Sequence, residues 1–459
     1  MVRRHASPAP RRRALCASAA LVALLGCAGG SSVGEGSPQP VGMPGEGPPP
    51  PLGELVAGGP ERLADLQDRL KVPGLDDRRF SHADLWAAIE PYIGRAVSDR
   101  VVGESAEGRS IPLLTYGSGP IPILLWSQMH GNESTATMAL ADMVRFFDEY
   151  GDDPLARTIA EGATVYMIPM LNPDGADRFQ RRNAQGIDVN RDARRLQTPE
   201  GQVLKAVRDE VEPAFGFNLH DQAASLRVGD SNRGVAIALL APAFNAARDV
   251  DPKRRRAMQV SSFLIDAMEP LVGDHIAKYD DTYNPRAFGD LMGAWGASTI
   301  LIESGAWPRD PQKQYLRKTN FVGILLALGA IADGSYANYG PEAYEALSFN
   351  GRRLTDLLIR GGTIAIPGRP PLTADMLANY DRPILGEGAR ITDIGDMGLS
   401  DAQDTLDVSG LYLIPTSAAL DDEGGLNVGA PARFVVAEDP EGQRIHFVFE
   451  GRREDVGRR

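Results

Sequence analysis

His130 and Glu133 stand three residues apart in Trp126-Ser127-Gln128-Met129-His130-Gly131-Asn132-Glu133, directly after an apolar run at 121–125. A second apolar run, Phe215-Gly216-Phe217-Asn218-Leu219, ends in His220, and a third, Ser298-Thr299-Ile300-Leu301-Ile302, ends in Glu303. Neutral imidazoles and a carboxylate suit zinc, and a catalytic zinc site keeps a fourth position for water. His130, Glu133 and His220 would supply three donors and leave Glu303 to act on that water. Each feature alone is weak, because an isolated His-x-x-Glu pair or a histidine at a strand end is most often structural. The combination carries the weight.

The other histidines read differently. His5 belongs to the N-terminal leader, and His82 follows Ser81 at a helix start, where a capping or surface role is expected. His275 falls in a helical stretch beside Asp274, and His446 reads as an ordinary strand residue. A second polar cluster lies between the two chemical histidines. Asn172-Pro173-Asp174-Gly175 is a turn on composition, and Arg181-Arg182 and Asp188-Val189-Asn190-Arg191 follow it. Arginine in such a place holds a carboxylate through two parallel hydrogen bonds or stabilises a developing oxyanion, unless the loop is simply solvated.

Those residues can meet only if the elements carrying them end on one edge. Short, nearly continuous apolar runs at 121–126, 164–170, 215–219, 235–240 and 298–302 read as strands covered on both faces. Residues 134–150 carry Leu140, Met143, Val144 and Phe147 on one helical stripe and stop at Gly151. A second helix is expected from Asp310-Pro311 through Leu326. Residues 60–93 have helical spacing, and 101–111 look like a turn feeding a strand. The alternation predicts an α/β fold: a mixed, largely parallel sheet with helices on both faces. Open sheets of this kind collect their ligands at the carboxyl ends of strands.

The ends of the chain differ from this body. Five arginines and no acid precede Cys27, with an apolar run at 14–25 too short for a comfortable membrane span. Leu24-Leu25-Gly26-Cys27 resembles the bacterial lipobox, so residues 1–26 are expected to be a signal peptide and Cys27 the lipidated residue. Residues 27–58, rich in Gly, Pro and Ser, would form a flexible tether. A catalytic domain is expected over 59–335. Short β-type runs at 356–364, 389–394, 410–414, 432–436 and 444–449 make 336–459 a small C-terminal β-rich domain. The formal charge of −13 becomes more negative once the leader is gone, which argues against nucleic acid as a partner. The two cysteines are Cys16, in the leader, and Cys27, so any metal must be held by His and carboxylates.

Taken in order, the motifs resemble the M14 zinc metallocarboxypeptidase family over about residues 78–335. Residues 103–111 resemble its entry turn, His130-Gly131-Asn132-Glu133 its paired ligands and Asn172-Pro173-Asp174-Gly175 its following turn. Asp188-Val189-Asn190-Arg191 matches the substrate-anchoring segment, His220 the third ligand and Glu303 the catalytic carboxylate. The resemblance implies one zinc per chain on His130, Glu133 and His220, with Glu303 passing the water's proton to the leaving amine. It also implies that Arg181, rather than the adjoining Arg182, stabilises the oxyanion. Asn190 and Arg191 would grip the substrate's terminal carboxylate, and Asp188 would orient His130. Tyr283 is expected to close over the substrate, with Tyr279 as the other candidate.

The expected activity is hydrolysis of C-terminal peptide bonds in extracytoplasmic peptides with a free carboxylate. The enzyme would be anchored by lipid in a bacterial cell envelope, on the periplasmic face of the outer membrane where the host has one. The alternatives are a zinc amidohydrolase acting on small acylated amino acids or cell-wall peptides, and a non-catalytic surface binding protein. The C-terminal runs at 356–364 and 405–415 resemble the small β-domain flanking amidohydrolase barrels but lack its His-x-His, which implies a structural or positioning role. The oligomeric state is left open.

Overall fold

A computed structural model describes residues 59–456 apart from 354, 384 and 401. The expected signal peptide, Cys27 and the tether lie outside the described residues. Nine strands precede the C-terminal region: β1 (Val97–Glu104), β2 (Ser110–Tyr116), β3 (Ile121–Ser127), β4 (Ala163–Ile168), β5 (Phe215–Asp221), β6 (Leu226–Val228), β7 (Ile237–Leu240), β8 (Ile276–Lys278) and β9 (Ser298–Ser304). All but β6 form one eight-stranded sheet in the order β1-β2-β4-β3-β5-β9-β7-β8. Its centre, β4-β3-β5-β9, is parallel, while β1 and β2 pair antiparallel to their neighbours and β7 runs antiparallel to β9 and parallel to β8.

The unbroken apolar runs follow from this position. Alternate residues of a strand point to opposite faces, and here both faces are covered. Ile123 and Leu125 enter one core with the helices Gly59–Leu70, Thr135–Glu149, Pro252–Val272 and Gln314–Asp333. Leu124 and Trp126 enter the other, with Pro199–Val211 and Phe288–Ala294. A fully buried pair anchors the first core: Arg317 Nε donates to Asp142 Oδ2 at 2.7 Å. Both members also bind the chain just after the first helix, at the Val72 N–H and at the carbonyls of Val72 and Leu75.

Three local expectations are corrected. The helix expected from Asp310 begins at Gln314, because the chain first passes through Lys313 in the left-handed region at φ 53°. Asp310 still acts on it: its carboxylate accepts the N–H groups of Gln314, Tyr315 and Leu316 at 2.7–3.2 Å. His275 is not helical. The helix Pro252–Val272 stops at Gly273, and His275 leads into β8 with Nδ1 2.7 Å from the Gly234 carbonyl oxygen. Residues 101–111 are the heart of a hairpin, not only a turn before one strand, since β1 pairs with β2 from Val97 to Glu104.

The C-terminal region is β-rich. After β10 (Asn350–Arg353) come β11 (Thr355–Ile364), β12 (Leu372–Arg382), β13 (Glu387–Gly395), β14 (Ala402–Asp407), β15 (Tyr412–Pro415), β16 (Phe434–Ala437) and β17 (Ile445–Phe449). The last seven form a separate sheet in the order β13-β12-β11-β15-β16-β17, with β14 also on β11, around Leu357, Ile359, Met376, Phe434 and Phe449. Strand β12 and the start of β14 are not marked in the sequence. Their Ala, Asn, Asp and Gln content has low strand propensity, and tertiary pairing overrides it. β10 leaves this sheet and pairs with β6 of the N-terminal region.

Candidate metal centre and catalytic cleft

The site is assembled where the central parallel strands end. Beyond β3 the backbone turns at Gln128, which sits at φ 51°, and this brings His130 and Glu133 over the sheet edge. A non-glycine residue in that region is strained, and such strain persists only where surrounding contacts hold it. Those contacts come from the Asn-Pro-Asp-Gly turn. Leu171 N–H binds the Ser127 carbonyl, Asn172 N–H the Gln128 carbonyl and Asn172 Nδ2 the Met129 carbonyl, each at 3.1 Å. The two turns touch backbone to backbone, and a Cβ on Gly131 would fall 1.9 Å from the Gly175 carbonyl carbon. β5 and β9 run parallel in a register that pairs His220 with Glu303 and Asp221 with Ser304.

Four predicted residues meet there. His130 Nδ1 lies 2.9 Å from Glu133 Oε1, and His220 Nδ1 lies 2.7 Å from Glu133 Oε2. The donor atoms of these three residues all fall within 4.8 Å of one another. The far nitrogens are held as well: His130 Nε2 is 3.0 Å from Asp188 Oδ1, and His220 Nε2 is 3.3 Å from Asn190 Nδ2. Both rings therefore turn Nδ1 toward one point, with a carboxylate behind His130 in the arrangement common around metal-ligating histidines. Two imidazoles and a carboxylate so placed are the donor set of one zinc ion.

The remaining predicted residues are placed as follows. Arg181 lies over the triad, with Nη1 3.1 Å from Glu133 Oε1 and Nε 3.1 Å from Asp188 Oδ2. Arg182 points elsewhere and donates to the Gly186 carbonyl. Asn190 and Arg191 line a cleft of about 600 Å³ together with His130, Glu133, Arg181 and Glu303. Asn190 Oδ1 already accepts the Phe288 N–H at 2.9 Å. Tyr279 lines the cleft, whereas Tyr283 is not among its lining residues.

Several lining residues carried no sequence signal of their own. Arg78 donates to the Asn132 carbonyl, and the Asp221 N–H donates to Glu133 Oε2 at 3.2 Å. Asn218 and Asp290 line the cleft while nearly fully buried. Asp221 and Asn218 flank His220 in β5, so the strand itself was the available clue.

The charges are tightly linked. Burial disfavours a charged His130, but the carboxylates of Glu133 and Asp188 outweigh it and raise its pKa above the ordinary value. In His220 burial wins, and the pKa is lowered. Burial pushes Glu133 upward, yet His130 and His220 hold it well below the usual carboxylate range. Glu303 moves the opposite way. Burial first, and then the charges of Glu133 and Asp221, raise it well above its ordinary value. A buried carboxylate with a raised pKa beside an ionised one is the usual way of separating a proton carrier from a ligand. The Glu303 charge and burial push Tyr279 up to about 12. Burial raises Asp290 to about 6.

Residues 84–213 match the zinc carboxypeptidase (peptidase M14) family model. An uncharacterised protein of Zymomonas mobilis is 34% identical over 113 residues, which are 24% of this chain and 29% of that protein. Carboxypeptidase SOL1 of Arabidopsis thaliana is 38% identical over 65 residues, 14% of this chain and 13% of that protein. A zinc carboxypeptidase of Saccharothrix mutabilis is 29% identical over 111 residues, 20% of this chain and 26% of that protein. The chain thus spans under a third of the length of these curated relatives. Among solved structures, a metallo-carboxypeptidase of Burkholderia cenocepacia has a TM-score of 0.43 at 18% identity, covering 55% of this chain and 68% of that one. One from Pseudomonas aeruginosa has a TM-score of 0.43 at 19% identity, covering 56% and 68%.

Proposed function

We propose that this chain, which belongs to the M14 zinc carboxypeptidase family, is a zinc-dependent carboxypeptidase that removes C-terminal residues from extracytoplasmic peptides. The observation carrying this reading is the convergence of His130, Glu133 and His220 on one point, with Glu303 beside them on the neighbouring strand. Zinc held by those three residues supplies a Lewis acid that polarises the scissile carbonyl and lowers the pKa of water. Glu303, buried at 7% exposure, takes a proton from the attacking water and returns it to the leaving amine. Arg181 offers a fixed cation to the oxygen that gains charge. Arg191 and Asn190 hold the terminal carboxylate and make the enzyme an exopeptidase. Asp188 keeps the His130 ring turned.

The test is Glu303→Gln. The variant should keep its zinc and lose about 10²- to 10⁴-fold in kcat/KM on peptides with a free C-terminus. Full activity would remove Glu303 from the mechanism. Equal cleavage of free and amidated C-termini would favour the amidohydrolase alternative instead. Within the same reading, Asp290 favours a basic side chain on the released residue. It is a buried carboxylate lining the cleft; its Oδ1 accepts the Asn284 N–H at 2.8 Å, and Arg191 and Arg254 act on it through their charge, without outweighing burial. A lysine-terminated peptide should therefore be cleaved faster than a leucine-terminated one, and the reverse order would count against that assignment. The proposal places the enzyme in a bacterial cell envelope, tethered through a lipid on Cys27, on the strength of the basic, apolar leader ending in Leu24-Leu25-Gly26-Cys27.

A further inference from the structure

We propose that Lys313 is a positioning residue that ties the ends of β5 and β9 together, so that His220 and Glu303 face the same point. The inference rests on the zinc carboxypeptidase reading. His220 and Glu303 are register partners, and the next pair along, Asp221 and Ser304, is the last one recorded between the two strands. Lys313 Nζ lies across that last pair. It donates to Asp221 Oδ2 at 3.0 Å, and to the Ser304 carbonyl oxygen at 3.0 Å.

Each partner is joined in turn to the site. Asp221 Oδ2 also accepts the Thr135 hydroxyl at 2.8 Å, and the Asp221 N–H reaches Glu133 Oε2, so the carboxylate ligand depends on where Asp221 stands. The Ser304 carbonyl accepts the Gln222 N–H at 2.9 Å as well, and Ser304 Oγ receives Asn320 Nδ2 at 2.8 Å. One ammonium thus connects the strand carrying the third ligand, the strand carrying the general base and the turn carrying Glu133.

The residue type is costly where it sits, and the cost points to a role. Lys313 is 2% exposed, and a buried ammonium is unfavourable unless it is fully paired. Its backbone is left-handed, a conformation that non-glycine residues keep only under outside constraint. Helix initiation does not require it, since Asp310 caps the helix that follows. Lys313 is absent from the residues lining the cleft, so its action passes through Asp221 and Ser304 rather than through substrate.

The experiment compares the full chain with Lys313→Met and with Asp221→Asn, which weakens the same link from its other end. Zinc affinity is measured by chelator competition, and kcat and KM are measured at saturating zinc. Each variant should bind zinc about 10- to 100-fold more weakly, the usual effect of removing a group that supports a ligand. At saturating zinc, kcat of Lys313→Met should fall with KM changed by less than about threefold, because Lys313 does not line the cleft. The double variant should be no worse than the poorer single one, since both break one link. Unchanged zinc affinity and unchanged kcat per bound zinc in folded Lys313→Met, whatever its melting temperature, would overturn the proposal and leave Lys313 a plain structural residue. The affinity measurement needs no substrate. It therefore decides Lys313 even if wild-type protein binds zinc and releases no amino acid, a result that would overturn the carboxypeptidase reading alone.

Discussion

In the metal-free protein His130 and Glu303 both hold protons to higher pH than their ordinary values. For His130 the carboxylates of Glu133 and Asp188 overcome burial, and for Glu303 burial acts first, with Glu133 and Asp221 adding to it. Zinc requires a deprotonated Nδ1 on His130, and its double charge beside Glu303 favours the carboxylate there. Binding must therefore expel protons, and affinity must fall as pH falls through the range where these two groups titrate. Calorimetric titration with zinc near neutral pH, in buffers of different ionisation enthalpy, should show net proton release. The release should shrink in Glu303→Gln, and no difference between buffers would contradict the electrostatic picture.

At the scale of elements, the site depends on turns more than on strands. β3, β5 and β9 supply the edge, but the chain entering the His-Gly-Asn-Glu turn, at Ser127, Gln128 and Met129, is held by Leu171 and Asn172 through three hydrogen bonds to its carbonyls at 3.1 Å. Gly131 lets the two backbones touch, because a Cβ there would lie 1.9 Å from Gly175. Gly131→Ala forces the turns apart. The expected cost is about 1–3 kcal/mol of stability, typical of overpacking, read as a lower urea midpoint with weaker zinc binding. A variant that matches wild type in both would show that the turns can separate freely.

At the scale of the whole molecule, the C-terminal sheet is stitched to the wall of the cleft. Leu226 lines the cleft and begins β6, and β6 pairs with β10, the strand that leads into the second sheet. The proposed lipid on Cys27 is tested at the same scale. With Cys27 lipidated, a fatty-acid label should enter the protein in bacterial cells, and it should be lost in Cys27→Ala together with membrane fractionation. Wild-type protein recovered unlabelled from the soluble fraction would remove the anchor from the proposal.

His130, Glu133, His220 and Glu303 were legible in the primary structure because each follows an apolar run, and covered parallel strands must be apolar on both faces. The alternation of such runs with helical stretches was enough to call an α/β body, and the late Gly- and Asp-spaced runs a β-rich tail. Other features needed the fold. Arg181 is distinguished from Arg182, and Tyr279 from Tyr283, only by which side chain the loop turns toward the cleft. Asp290 and Lys313 carry no local pattern at all, because what defines them is burial beside groups distant in the chain. Periodicity is a property of neighbours along the backbone, so it reveals strands and what ends them. Pairing, burial and charge coupling are set by distance in space, and the tertiary structure alone decides those.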